Sequence, residues 1–198
     1  MHRRPDIEPK IILGIPFGQS LAVAQVLYDS LEEIRIIFGP RDRALRVIAC
    51  SLREDRTFTS TYDQQVVGIA GLNYGGSPAL DVSGSVVFRE YRLSAFKVTF
   101  LGLPLKERTA PDELYLESLA VSAGYRNRGI GRKLLDVVLE HAAAEGLTRV
   151  RLHVVEPNLK AKALYERVGF ETSGYWRVPF LWRRAFRWGG YYELIKRI

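Results

Sequence analysis

Arg126-Asn127-Arg128-Gly129-Ile130-Gly131 is the stretch on which the reading of the fold turns. An apolar run, Leu114-Tyr115-Leu116-Glu117-Ser118-Leu119-Ala120-Val121, precedes it, and a helix-like run from Arg132 to Glu145 follows. A strand, a basic glycine-bearing turn and a helix start, in that order, build an anion site from backbone alone. The first amides of a helix have no intrahelical acceptor. The helix dipole puts partial positive charge at the same end, and a phosphate or pyrophosphate sits there readily. Glycine at 129 and 131 lets a ligand approach without a Cβ in the way. An ordinary helix start with small residues for close packing reads the same, and a glycine pair alone does not separate the two. The cations add weight, because Arg126, Arg128, Arg132 and Lys133 lie where the dipole disfavours positive charge unless an anion offsets it.

Outward from that stretch the order of elements is plain. Leu114 to Val121 reads as a strand, Gly129 to Glu145 as a helix closed by Gly146, and Arg149 to Val155 as a strand with Val150, Leu152 and Val154 on one face. Leu159 to Val168 reads as a helix ended by Gly169, and Phe170 to Val178 and Gly190 to Lys196 as the last strands. A strand–helix–strand unit with so long a crossover implies parallel pairing. Upstream, Ser20 to Glu33 reads as one helix with Ser20 as a candidate cap, and Asp42 to Arg53 as a shorter one. Thr57 to Tyr62 and Val66 to Tyr74 form a hairpin about Asp63-Gln64-Gln65, broken afterwards by Gly75-Gly76-Ser77-Pro78. Ser85 to Leu105 fits both a helical stripe and, at Phe96, Val98 and Phe100, a strand alternation; helix is favoured in its first half. Lys106-Glu107-Arg108 and Pro111-Asp112 read as a loop.

The 198 residues suit one domain, with an inserted segment at about 75–112 and an aromatic, basic C-terminal segment at 175–198. The sheet is expected to be mixed, giving an α/β class. One cysteine, Cys50, excludes an internal disulfide framework and a cysteine-rich zinc site and suits a reducing cytoplasm. His2, His141 and His153 are too scattered for a metal cluster and read as surface or strand residues, so no metal is expected. The region after His2-Arg3-Arg4 is too interrupted for a signal peptide or membrane span, and no membrane partner is expected. A net charge of +7 suits an anionic ligand, an acidic partner or nucleic acid. From Trp176 onward six basic residues face one acid, so this tail alone carries +5.

Three pieces in this order and spacing resemble the GNAT superfamily of acyl-CoA-dependent N-acetyltransferases. They are Leu116-Glu117-Ser118-Leu119-Ala120-Val121, Arg126-x-x-Gly129-x-Gly131, and Asn158-x-x-Ala161-x-x-Leu164-Tyr165-Glu166-x-x-Gly169-Phe170. The resemblance covers roughly Leu114 to Thr172. It implies a central mixed, mostly antiparallel sheet with helices on both faces and two parallel strands that splay. It implies acetyl-CoA, or another acyl-CoA, as co-substrate, with the pyrophosphate held by amides from Arg128 to Gly131 within a cofactor-binding turn spanning Arg126, Asn127, Arg128, Gly129, Ile130, Gly131 and Arg132. The pantetheine arm would lie along Leu119, Ala120 and Val121, and Asn158, Ala161 and Tyr165 would face the cofactor. Asn158 also reads as a plain helix cap.

Transfer to an amine by direct attack needs a base for the ammonium, a donor for the oxyanion and a proton for the leaving thiolate. By the resemblance Tyr165 is the acid; a phenol keeps its proton at neutral pH. Glu117 is the base candidate, expected on the same side of its strand as Tyr115 and Leu119, with Tyr115 and Glu113 as nearby substitutes. A structural acid paired with an arginine reads equally well from residue type. On the base reading, Glu117→Gln costs most at low pH, where the amine is protonated. The acceptor is a small-molecule amine or a protein or peptide amino group; nucleic acid is disfavoured, and a homodimer is compatible with the sequence. Two other functions fit the same residues: a non-catalytic CoA-binding sensor or scaffold, and a nucleic-acid-associated protein using the basic tail.

Overall fold

The computed structural model describes residues 8–103 and 107–198. The expectations for His2, Arg3, Arg4, Leu105 and Lys106 lie outside the described residues. Seven strands form one sheet: β1 (Lys10–Leu13), β2 (Thr57–Tyr62), β3 (Gln65–Asn73), β4 (Glu113–Val121), β5 (Arg149–Val155), β6 (Glu171–Arg177) and β7 (Gly190–Arg197), in the order β1-β2-β3-β4-β5-β7-β6. Every adjacent pair is antiparallel except β4–β5. The helices are α1 (Ser20–Ser30), α2 (Glu32–Phe38), α3 (Arg41–Ser51), α4 (Gly84–Tyr91), α5 (Ala95–Gly102), α6 (Ile130–Ala144), α7 (Leu159–Arg167) and α8 (Phe180–Phe186).

Two apolar clusters flank the sheet. One joins α1–α5 and α8 through Val23, Ile48, Ile69, Val98 and Phe186. The other joins α6 and α7 through Leu116, Leu134, Leu152, Tyr165 and Phe170. Val150, Leu152 and Val154 enter the second cluster as their alternation predicts, leaving Arg151 and His153 on the other face.

Three upstream expectations change, and a downstream connection gains a helix. The single helix Ser20–Glu33 is two helices, because Leu31 is extended (φ −111°, ψ 115°) and Glu32 and Glu33 open a new first turn, where acids suit the dipole. Ser20 does not cap; Gln19 holds that position without a side-chain bond. The strand alternative at Phe96–Phe100 gives way to helix α5, whose buried residues Val98 and Leu101 are three apart. The Arg177–Gly190 connection contains α8, which starts directly after Pro179.

The decisive local feature is in β4. Gly71 pairs with Ser118 but Leu72 pairs with Leu116, so Glu117 is the extra residue of a β-bulge. The bulge breaks side-chain alternation: Leu119 and Val121 pack in the α6–α7 cluster, while Glu117 reaches Ala79 and Leu80 across the other face. Glu117 and Leu119 therefore do not share a side, contrary to the plain period-two expectation.

Gly71 keeps this bulge possible. A Cβ there would lie 2.6 Å from Ser118 Oγ and 3.0 Å from Ala79 Cβ. Gly71→Ala is expected to lower stability by about 1–3 kcal/mol through overpacking, read as a lower urea midpoint with unchanged slope. Wild-type stability in that variant would show that the bulge relaxes freely.

Candidate active site

The β4–β5 ladder runs Glu113–Arg149, Leu114–Val150, Tyr115–Arg151, Leu116–Leu152 and stops. Beyond it β5 continues only on its far side, where His153, Val154 and Val155 pair with Glu193, Tyr192 and Tyr191 of β7. Ser122 N donates to Val67 O at 2.9 Å, toward β3. By alternation the main-chain groups of Leu119 and Val121 face the opened edge. The two parallel strands thus splay beyond Leu116.

The basic turn closes the far end of this opening. Asn127 and Gly129 are left-handed, with φ of 61° and 79°. The first helical bond of α6 is Lys133 N to Gly129 O at 3.0 Å, so the amides of Ile130, Gly131 and Arg132 precede any intrahelical acceptor. A left-handed residue followed by a helical one gathers successive amides into an anion-binding concavity. A Cβ on Gly131 would meet Leu164 Cδ2 at 3.5 Å, an ordinary van der Waals contact, so packing against α7 does not by itself require glycine here. The cations are more engaged than their number suggests. Arg126 Nε donates to Val121 O at 2.9 Å, and Arg132 pairs with Asp136 one turn on, which itself offsets a cation in a first turn. Arg128 lies over the Tyr125 ring at 5.4 Å, and its buried Nε has no partner among the described residues. That orphaned donor beside free amides fits the diphosphate of an acyl carrier.

Glu117 and Tyr165 lie on opposite faces of the sheet. Glu117 Oε2 accepts from Ala79 N at 2.9 Å and Leu80 N at 3.3 Å. Burial raises its carboxyl to about 7 against the pull of those two amides. Tyr165 is buried in the α6–α7 cluster, edge-on to Phe170 at 5.9 Å, and desolvation alone pushes its phenol well above the ordinary value. Its hydroxyl has no hydrogen-bond partner among the described residues. Asn158 caps α7, its Oδ1 accepting from Ala161 N at 3.2 Å.

The substitutes for Glu117 fare differently. Glu113 is buried and holds Arg151 Nε and Arg149 Nε, each at 3.0 Å, so it is not available as a base. Tyr115 shares a 3.2 Å hydrogen bond with His153 Nδ1. His153 is the residue that sequence reading passed over. Its ring lies tilted against Tyr191, centroids 4.5 Å apart, and it sits 3.4 Å from both Glu107 and Glu193. Arg151 Nη1 donates to its Nε2 at 3.1 Å, leaving the ring proton on Nδ1 beside Tyr115. Burial lowers its pKa, with Glu107 opposing, so the ring is neutral and can accept and pass a proton. The parallel pairing of Tyr115 with Arg151, which puts His153 two residues on along β5, is the signal that could have suggested this.

Among the described residues no group of three or more His, Cys, Asp or Glu could hold a metal ion, and no helix is long and apolar enough to cross a membrane.

An open strand edge runs toward unpaired helix amides, with a titratable carboxylate on one face of the sheet and a buried phenol on the other. The chain belongs to the acetyltransferase (GNAT) family, which residues 24–170 match. It is 39% identical over 85 residues to the N-alpha-acetyltransferase RimI of Mycobacterium tuberculosis, covering 41% of this chain and 52% of that protein. It is 34% identical over 82 residues to the ribosomal protein bS18-alanine N-acetyltransferase of Salmonella typhimurium, covering 41% and 50%. The matched stretches span about half or less of the curated relatives' own length, from 20% to 52%. An N-acetyltransferase structure from Staphylococcus aureus Mu50 superposes with a TM-score of 0.67 over 94% of this chain and 100% of that one, at 21% identity, which shows the shared fold.

Arg151 is buried with Glu113 and Glu107 as acceptors. Arg151→Met is expected to destabilise the protein by about 3–5 kcal/mol, because two carboxylates lose their partner, while adding Glu113→Gln recovers part of the loss. Urea unfolding of the single and double variants reads both terms; a single-variant loss under about 1 kcal/mol would mean the acids are solvated in place.

Proposed function

We propose that this chain is an N-acetyltransferase that moves the acetyl group of acetyl-CoA to a primary amine in a ternary complex, without a covalent enzyme intermediate. One observation supports the reading: the β4–β5 ladder stops at Leu116, leaving an unpaired edge of β4 between the unsatisfied α6 amides and the strand segment that carries Glu117. Gly129, Ile130, Gly131 and Arg132 offer amides to the diphosphate, with Arg128 alongside and Arg126 and Asn127 shaping the turn. Leu119 and Val121 offer main-chain groups to the pantetheine arm, with Ala120 between them turned to β3. Asn158 and Ala161 close the α7 side.

The chain's residues then divide the proton work. Glu117 takes the proton that the attacking ammonium must lose. The amine nitrogen bonds the acyl carbon as the carbon–sulfur bond breaks, and Tyr165 gives its proton to the departing sulfur. The retention of both groups in position supports catalysis over a CoA-binding scaffold. The acceptor enters beside Tyr191, where Leu103, Arg177, Val178, Pro179 and Trp182 line a cleft of about 330 Å³. It is a protein or small-molecule amine, the two kinds named in the relatives' activities, met in the cytoplasm.

A screen of amines against acetyl-CoA, read by thiol release, tests the reaction; no release with any amine would sink it. Burial moves the sequence-based expectation for Glu117→Gln. With a carboxyl titrating at about 7, wild-type Glu117 carries its own proton at low pH and cannot act as base there. The variant is therefore expected to match wild type below about pH 6 and to fall about a hundredfold behind near pH 8. Stability moves the other way. A folded-state pKa raised above 4.5 gives stability that is full below 4.5 and lost as pH rises through about 7. Glu117→Gln should thus be the more stable protein at about pH 8 and equal to wild type near pH 5. Parallel pH curves for the two proteins, in rate or in melting temperature, would return Glu117 to a structural role.

Tyr165→Phe keeps the ring's packing and removes the proton. Turnover is expected to drop about tenfold to a hundredfold while calorimetric CoA affinity holds. A wild-type rate would make Tyr165 a packing residue only.

A further inference from the structure

Helix α5 and the turn before it present Leu93, Phe96, Phe100 and Leu103 at helical spacing. Leu93 is 99% exposed and Phe96 79%. The inward side of α5 is already satisfied by Val98 and Leu101, so the fold does not require this outer stripe. Phe100 stacks on Trp182 of α8 at 4.7 Å, and Trp182 Nε1 donates to Phe100 O at 3.1 Å, which sets α8 alongside α5. In the first turn of α8, Phe180 and Leu181 are 70% and 63% exposed. Leu103 shares its cleft with Val178, Pro179 and Trp182, so the apolar stripe runs on from one helix to the other.

The same two segments hold the chain's positive charge. Residues 84–103 carry Arg89, Arg92 and Lys97, and residues 177–187 carry Arg177, Arg183, Arg184 and Arg187, against the single acid Glu90. All seven cations are exposed, and Glu90 is bonded by Arg46 at 2.9 Å. Arg184 lies one turn from Phe180 and so shares its face, and Lys97 adjoins Phe96.

We propose that this face docks on an anionic lipid bilayer, with Leu93, Phe96, Phe180 and Leu181 entering the interface and the flanking cations meeting lipid phosphates. The shape favours a deformable partner: these side chains protrude, whereas a peptide helix needs a groove to lie in. A second copy would bring seven cations against seven. Single-stranded nucleic acid would use the cations and phenyl rings but has no use for projecting leucines. The earlier expectation of no membrane partner rested on the lack of a spanning segment, and surface docking needs none.

The test sediments the full chain with vesicles of phosphatidylcholine alone and of phosphatidylcholine with phosphatidylglycerol at about three to one. Binding is expected to the anionic vesicles only and to weaken as salt rises. Phe96→Ser with Phe180→Ser, and separately Arg183→Glu with Arg184→Glu, should each lower the partition coefficient about tenfold or more. Both pairs should keep wild-type circular dichroism and the same thiol release with a soluble amine. Three results would overturn the proposal: no sedimentation with anionic vesicles, equal partitioning of the Phe96→Ser/Phe180→Ser protein, or a lipid-free dimer that those two changes dissociate. Displacement of the protein from vesicles by polynucleotide, with the serine variant binding polynucleotide as well as wild type, would reassign the face to nucleic acid. Vesicle binding is read without catalysis, so its failure is distinct from failure of the acetyltransferase reading.

Discussion

The guanidinium of Arg151 holds the sheet together at the point where the sheet must also begin to open. It bonds Glu113 on β4, Glu107 and the Arg108 carbonyl in the preceding loop, and lies 3.5 Å from Glu193 on β7. The parallel ladder survives one residue past this clamp and no further. An apolar filling would hold the strands at least as well, since burying charges costs about as much as pairing them returns. It would not mark a stopping place. Directional bonds from one side chain to several segments keep β4, β5 and β7 in register up to Leu116, and β5 then follows β7 alone.

The Glu117 bulge acts on the other edge of β4 with a related result. One extra residue rotates the carboxylate onto the face of the 74–80 loop and turns Leu119 and Val121 toward α6 and α7. Two amides accept the burden of a half-buried acid without fully compensating its desolvation, which is why the carboxyl rests near neutrality. Tyr165 is shifted by burial alone and keeps its proton. The carboxyl and the phenol therefore owe their different protonation to different surroundings on two faces of one sheet.

Sequence patterning resolved β4, α6, β5 and α7 to within a residue or two, because each is long, periodic and ended by glycine or a turn. It resolved the turn through Arg126 to Gly131 between β4 and α6 for the same reason. What it could not resolve depends on partners distant in the chain. The bulge exists only against the register of β3, so the side to which Glu117 points was not legible. Glu113 read as a spare base until Arg149 and Arg151 arrived from a neighbouring strand. His153 is one histidine in an apolar run; only the pairing of Tyr115 with Arg151 brings it against Tyr115 and two carboxylates. Four-residue β1 and seven-residue α8 were too short for periodicity to register.

Charge shows the same contrast between composition and placement. A mean of +7 beside a glycine turn invites the conclusion that the excess cations serve a phosphate. In the folded chain two of the turn's arginines are spent on Val121 O and Asp136. What the turn itself presents is mainly backbone amides and one orphaned guanidinium nitrogen, an arrangement that is rigid and costs little to preorganise. The surplus lies instead on α4, α5 and α8, interleaved with side chains that water solvates poorly. Cations there contribute nothing to holding the acyl carrier. They set the cleft lined by Leu103, Pro179 and Trp182 in the middle of a basic and apolar surface. The helices on which periodicity is ambiguous or silent, α5 and α8, are therefore the ones that give this face its charge and its exposed apolar side chains.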